Sequence, residues 1–346
     1  MSEEQSNSDW IKLSNIPTNT CPPLLYENNH VIFPIKHRFE TKISSIADYD
    51  PVTDKCVEIW TLPEPILCWS KAFAVDVKKK AIYVPSLTCM HTFQLDNKIM
   101  KQNQISTEYD PFTTLDTRSI LIADKLHIFQ FDEDIDIMHG IYDIKCGEYS
   151  EQVIENTEDP GDEHDFNGHS MVHMQSQDKL IFFGGYLEDN IISYDINNDT
   201  HDVIQKFKSF DISNYCRRPG AVLTKDEKYV IIFFLYHVGV GIGENVIVII
   251  DIENNVNWTS EIKFPTFVET PSRSTQLHVF IIDEPNESEI IVNGYVRDCW
   301  KINQLPIDII GVIIQFFHSE YLHLVTDFNG EHWKIRLNYI LQANKP

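Results

Sequence analysis

The densest set of groups able to do chemistry lies in ENTEDPGDEHDFNGHS, residues 155–170. Asp162, Glu163, His164, Asp165 and His169 offer carboxylate and imidazole donors of the kind that hold a divalent metal. Their spacing lacks a fixed pattern such as HExxH, and Pro160 and Gly161 place them in a loop, where solvated acids are the expectation. A second candidate is VGVGIGEN, with glycines at 239, 241 and 243. A phosphate cradle needs a helix N-terminus behind such a loop, and here the loop joins two strands. A third is FDEDIDIMHG, residues 131–140, whose Asp132, Glu133, Asp134 and Asp136 form a surface loop able to meet a basic partner. The chain has neither a GxSxG nucleophile turn nor a GKS or GKT phosphate loop. No catalytic residue, metal or cofactor is expected.

Charge narrows the partners. The 346 residues carry 52 acidic and 28 basic side chains, a net charge of −24. Such a surface repels a phosphate backbone and an anionic bilayer, so neither nucleic acid nor membrane is the expected partner. A basic protein is. Seven cysteines (21, 56, 68, 89, 146, 216 and 299) form no CxxC pair, which fits reduced thiols in the cytoplasm. MSEEQSNSDW has no basic and apolar leader pattern, and no run of about 18 apolar residues could cross a bilayer.

The elements that must carry these groups are strands. Aromatic residues make up 12% of the chain, and β-branched residues are abundant. KLIFFGGYLEDNIISYDI, residues 179–196, joins an apolar strand through Gly184 and Gly185 to a strand ending in Tyr194-Asp195. Similar endings occur at Tyr49-Asp50, Leu95-Asp96, Tyr142-Asp143, Ile250-Asp251 and Thr326-Asp327, with aspartate intervals of 46, 47, 52, 56 and 76 residues. The aspartate can accept backbone N–H groups of the following turn, while the residue before it points to the opposite face and enters the core. Apolar strands precede the aspartates at 30–35, 81–86, 125–131, 179–185, 229–236 and 289–295. A further strand precedes these, as in 69–79, 168–175 and 219–226, and a Trp-bearing strand follows the aspartate, with Trp60 or Trp258. Four strands in about 50 residues, six times over, predict an all-β, six-bladed β-propeller.

HSMVHMQSQDKLIFFGGYLEDNIISYDI resembles the kelch motif, with His169 leading a strand, Gly184-Gly185 and Tyr194-Asp195. The resemblance implies a kelch-type propeller, with His169, Gly184, Gly185, Tyr194, Asp195, Asp50, Asp143, Asp251 and Asp327 as its repeat signature. It also implies that His169 is a strand-start residue, not a metal ligand. Only the unit from about 168 to 210 keeps the full motif. Residues 9–341 are expected to form one domain, flanked by a disordered 1–8 and a tail at 342–346.

Two segments bear on how the ring closes. DWIKLSNIP resembles an outer strand with no unit of its own and could complete the last blade, whereas YLHLVTDFNGEHWKIRL forms a hairpin around Asn329-Gly330. The expectation is that this hairpin supplies the last two strands of blade six, with residues 9–17 at its edge. Between them LPIDIIGVIIQFFHSE, 305–320, has polar residues at steps of three and four and predicts an inserted helix with a wide apolar face. Its LPIDIIGVIIQFF also resembles the first helix of an F-box, which would imply a substrate receptor for ubiquitin ligation. The leading expectation is a monomeric, non-enzymatic scaffold for protein–protein contact. The alternatives are an enzyme with a site in the central channel and the ligase receptor.

Overall fold

The computed structural model describes residues 11–17, 24–25, 30–36, 42–67, 73–86, 89–105, 118–131, 137–154, 169–184, 190–198, 200–206, 219–234, 245–262, 277–285, 318–326 and 332–342. These form six four-stranded antiparallel sheets. A short strand, β1 (Ile11–Lys12), comes first. Sheet one is β2 (Leu24–Leu25), β3 (Val31–Lys36), β4 (Lys42–Asp50) and β5 (Lys55–Leu67). Sheet two is β6 (Ala74–Asp76), β7 (Ala81–Ser86), β8 (Cys89–Gln94) and β9 (Ile99–Gln104). Sheet three is β10 (Arg118–Ile122), β11 (Lys125–Phe131), β12 (Ile137–Asp143) and β13 (Tyr149–Ile154). Sheet four is β14 (His169–Met174), β15 (Lys179–Gly184), β16 (Asn190–Asp195) and β17 (Thr200–Lys206). Sheet five is β18 (Gly220–Leu223), β19 (Tyr229–Phe234), β20 (Val246–Asp251) and β21 (Val256–Thr259). Sheet six is β22 (Leu277–Pro285), β23 (His318–Thr326) and β24 (His332–Arg336), with β1 as its fourth strand.

Within each of the first five sheets the chain meanders from strand to neighbouring strand. The middle strands β7, β19 and β20 are nearly continuous apolar runs because both their faces are covered. In β19, Ile231 and Phe233 pack towards sheet six, with Ile249, Ile281 and Ile335. The alternate residues Val230, Ile232 and Phe234 pack towards sheet four, with Val172, Ile181 and Phe183. This is the two-residue period of a strand read out on two interfaces. Sheets three and four meet through Phe129, Leu180, Phe182 and Tyr194. Sheets two and three meet through Tyr83, Met90, Leu126, Ile128 and Tyr142. Sheets one and two meet through Ile32, Trp60, Ile82 and Phe93, the Trp60 and Phe93 rings lying edge-on with centroids 5.6 Å apart. The first strands of neighbouring sheets adjoin at β2 and β6, β6 and β10, β14 and β18, and β18 and β22.

The N-terminal arm links the last sheet to the first. Ile11 and Lys12 pair with Lys334 and Trp333 of β24. A few residues on, Ile16 is buried among Val31, Phe33 and Tyr49 of sheet one, and the Ser14 amide donates to Asp54 at 2.9 Å. The expected closure is corrected accordingly: β23 and β24 are the two middle strands of sheet six, and the N-terminal strand is the outer one, covering an edge of β24 that would otherwise stand open.

Two more expectations change in this region. His318–Thr326 is a strand, so residues 318–320 are not helical as the pattern of 305–320 predicted, and 305–317 lie outside the described residues. Pairing with β22 draws this stretch into a sheet, where β-ladder bonds replace the local helical ones. The helix among the described residues is α1 (Leu337–Gln342), whose Leu337 and Ile340 close the core between sheets five and six. The segment 289–295, expected as an apolar strand, lies outside the described residues, and β22 opens sheet six instead.

Candidate functional site

The repeat aspartates sit at one kind of place. Asp50, Asp143, Asp195 and Asp251 each end a third strand and start the turn to the fourth, of four residues after Asp50, Asp195 and Asp251 and five after Asp143. Asp50 accepts from the Val52 amide at 2.9 Å and the Thr53 hydroxyl at 2.8 Å. Asp143 accepts from the Lys145 amide at 2.8 Å, and the Lys145 and Cys146 amides hold its carboxyl below the ordinary carboxylate value. Asp195 accepts from the Asn197 and Asn198 amides at 3.0 and 3.1 Å. Asp251 accepts from the Asn254 amide at 3.0 Å. Fixed register follows, since Asp50 pairs with Lys55, Asp195 with Thr200 and Asp251 with Val256.

In sheet two that register belongs to Gln94, which pairs with Ile99. Lys98, four residues after Gln94, has φ 54°, as Asp54 (φ 50°) and Asn255 (φ 53°) do four residues after Asp50 and Asp251. Asp96 is thus two residues into the turn, where it pairs with Lys80 at 3.3 Å. The repeat pair there is Phe93-Gln94, and the Phe93 ring is buried as Tyr49, Tyr142 and Tyr194 are. Asp327 and Gly185 lie outside the described residues. Gly184 ends β15 and pairs with His169, the first residue of β14. Asp162, Glu163, His164 and Asp165 lie outside the described residues, as do glycines 239, 241 and 243 and Asp132, Glu133, Asp134 and Asp136. Among the described residues no three His, Cys, Asp or Glu side chains converge to hold a metal ion. Cys56 is pushed up to about 12 by burial, with Asp48 adding to the effect, so it rests as a thiol and is no nucleophile.

Two polar groupings escape the sequence. The first is a buried chain. His127 Nδ1 lies 2.9 Å from His139 Nε2, and His139 Nδ1 lies 3.1 Å from the Tyr194 hydroxyl. Phe129 stacks on His139 with ring centroids 4.5 Å apart. Proton order along the chain can run either way, Tyr194 donating inward or His127 donating outward. His139 is fully buried, so the chain joins sheets three and four and is closed to a substrate.

The second grouping is open. A cavity of about 370 Å³ lies between sheets two and three, lined by Lys79, Lys101, Lys145, Tyr83, Tyr142 and Asn103 among others. Strand pairing builds one wall, because Tyr83 lies opposite Thr92, and Thr92 opposite Lys101, placing the three in one row across β7, β8 and β9. Turns supply the rest. Lys79 comes from the β6–β7 turn and Lys145 from the β12–β13 turn. Both reach Asp124 of the β10–β11 turn, at 2.5 and 2.7 Å. The Lys145 and Lys79 ammonium groups hold Asp124 down at about 2, and Asp124 in turn raises both lysines.

No family model matches this chain, and no curated protein does. Among solved structures, it is similar to the extracellular domain of the putative one component system BT4673 from B. thetaiotaomicron, at 11% identity and a TM-score of 0.45, over 74% of this chain and 30% of that one. It is also similar to a structural genomics protein of unknown function from Bacteroides thetaiotaomicron VPI-5482, at 10% identity and a TM-score of 0.46, over 74% of this chain and 65% of that one. The chain spans less than two thirds of either protein. Likeness at this level says nothing of what this chain does.

Proposed function

We propose that the six sheets are the blades of a kelch-type β-propeller, and that the protein is a cytoplasmic, non-enzymatic scaffold whose longer connections bind a basic protein. What supports the ring is the chain of shared cores from sheet one to sheet six, with the N-terminal arm joining the sixth to the first. What supports the docking role is the placement of charge. In a meander the connections from second to third strands and from fourth strands to the next sheet emerge at one edge. Four connections of that kind between sheet two and sheet four, 106–117, 132–136, 155–168 and 185–189, hold three, four, six and two acidic residues and neither Lys nor Arg, whereas 207–219, which leads on to sheet five, holds Lys208, Arg217 and Arg218. This acidic concentration is the observation that carries the reading, since it favours and orients a basic partner.

The test is affinity purification from native lysate with the wild-type chain and a variant carrying Asp162→Asn, Glu163→Gln and Asp165→Asn. A stoichiometric partner is expected, retained less by the variant and released as salt rises from about 0.05 M to about 0.5 M. Retention indifferent to both changes would refute the electrostatic reading.

A further inference from the structure

The cavity between sheets two and three runs against the charge of its own protein. The chain has 52 acidic and 28 basic residues, yet its lining contains three lysines and no carboxylate. Gathering like charges in a recess costs free energy unless something compensates. Compensation is partial. Lys79 and Lys145 share the single carboxylate of Asp124, and Asp76 approaches Lys79 at 3.4 Å from its own turn. No carboxylate of a described residue pairs with Lys101, which stands on the exposed strand β9 and faces the cleft beside Thr92.

The back of the cleft is built from donors. Asn103 Nδ2 donates to the Tyr142 hydroxyl at 2.7 Å. That hydroxyl is thereby used as an acceptor, and its own hydrogen remains to be given. The Tyr83 hydroxyl, in the same lining, accepts from or donates to no described side chain. Two phenolic donors beneath three ammonium groups suit an acceptor-rich, multiply negative guest. A volume of about 370 Å³ is at the lower end of small-ligand sites.

The geometry points to a binding site for a small multivalent oxyanion. Lys79, Lys101 and Lys145 supply the charge, and Tyr83 and Tyr142 direct hydrogen bonds to its oxygens. Phosphoryl and carboxylate groups share this chemistry, and the guest displaces Asp124 from part of its hold on the two turn lysines. This site is separate from the acidic docking edge and does not depend on it.

Calorimetric titration with inorganic pyrophosphate and with citrate, each against sodium chloride of matched ionic strength, distinguishes the two sources. Saturable binding of at least one of them at one site is expected. Lys101→Met should weaken it about ten-fold, as loss of a charge-assisted contact does. Asp124→Asn should tighten it, because the shared carboxylate no longer competes. Lys55→Met removes the same charge from sheet one and should leave the affinity unchanged. Tyr142→Phe, which keeps the ring and its packing, should weaken binding without altering melting temperature by more than a few degrees. Absence of binding by both anions, or an equal loss in Lys101→Met and Lys55→Met, would overturn the proposal.

Discussion

The Tyr194 hydroxyl and the His139 imidazole meet at 3.1 Å inside the interface of sheets three and four, with His139 fully buried. Removing one partner of a buried hydrogen bond leaves the other desolvated and unpaired. Tyr194→Phe should therefore cost about 1 to 2 kcal/mol in chemical denaturation, with little change in the m-value. A second residue-scale prediction concerns acid. His91 is buried on β8, its Nε2 3.2 Å from Cys89 Sγ and its Nδ1 without a partner among the described residues. Burial lowers its pKa, so the unfolded chain binds a proton that the folded one refuses. Stability should fall as pH drops below about 6.5, and His91→Phe should lose less than wild type over about pH 7 to 5. His173 shifts the same way through burial, but Asp178 and Glu227 oppose it, which makes His91 the cleaner test. Little of this was legible in the sequence, because His139 and Tyr194 meet only where sheets three and four pack, and the burial of His91 is decided by the elements around β8. The same limit misplaced one repeat residue: Leu95-Asp96 matches the motif by type, while register gives the position to Phe93-Gln94.

At the scale of elements, apolar runs were legible wherever packing and local preference agree. YVIIFF and VIVIID became β19 and β20 at the residues the pattern marks. Their lack of alternation is itself informative, since a sheet covered on both faces has no polar side. The stretch 318–320 shows the opposite case, where ladder bonds to β22 overrode a helical pattern. Gly140, in the middle of β12, had no sequence signal. A Cβ there would lie 2.8 Å from Cζ of the Tyr149 ring on neighbouring β13. Gly140→Ala should then destabilise by about 1 to 3 kcal/mol, the usual cost of overpacking. In a double-mutant cycle, Gly140→Ala should cost less in a Tyr149→Ser background than in wild type, although Tyr149→Ser itself destabilises through its lost packing.

For the whole molecule, the decisive element is one of the two shortest. The two residues of β1 complete sheet six, and Ile16 fills a pocket of sheet one formed by Val31, Phe33 and Tyr49. Six sheets packed in series have two ends, and this arm touches both. Ile16→Ala should cost about 2 to 5 kcal/mol. Deletion of residues 2–17 should lower the melting temperature further and broaden the transition, measured by calorimetry. A deletion variant as stable and as cooperative as wild type would remove the arm from any role in joining sheet six to sheet one.

Composition and period by themselves determined that this chain is made of strands and that the strands recur in groups of four, because side-chain type fixes which faces can be buried. Charge by itself set the acidic balance and the segments that hold it. Only the tertiary structure decided which strand completes sheet six, which residue of sheet two occupies the repeat position, and that Lys79, Lys101 and Lys145 converge on one cleft. Those depend on strand pairing between segments far apart in the chain, and a pairing register is a property of two partners that neither sequence segment carries alone.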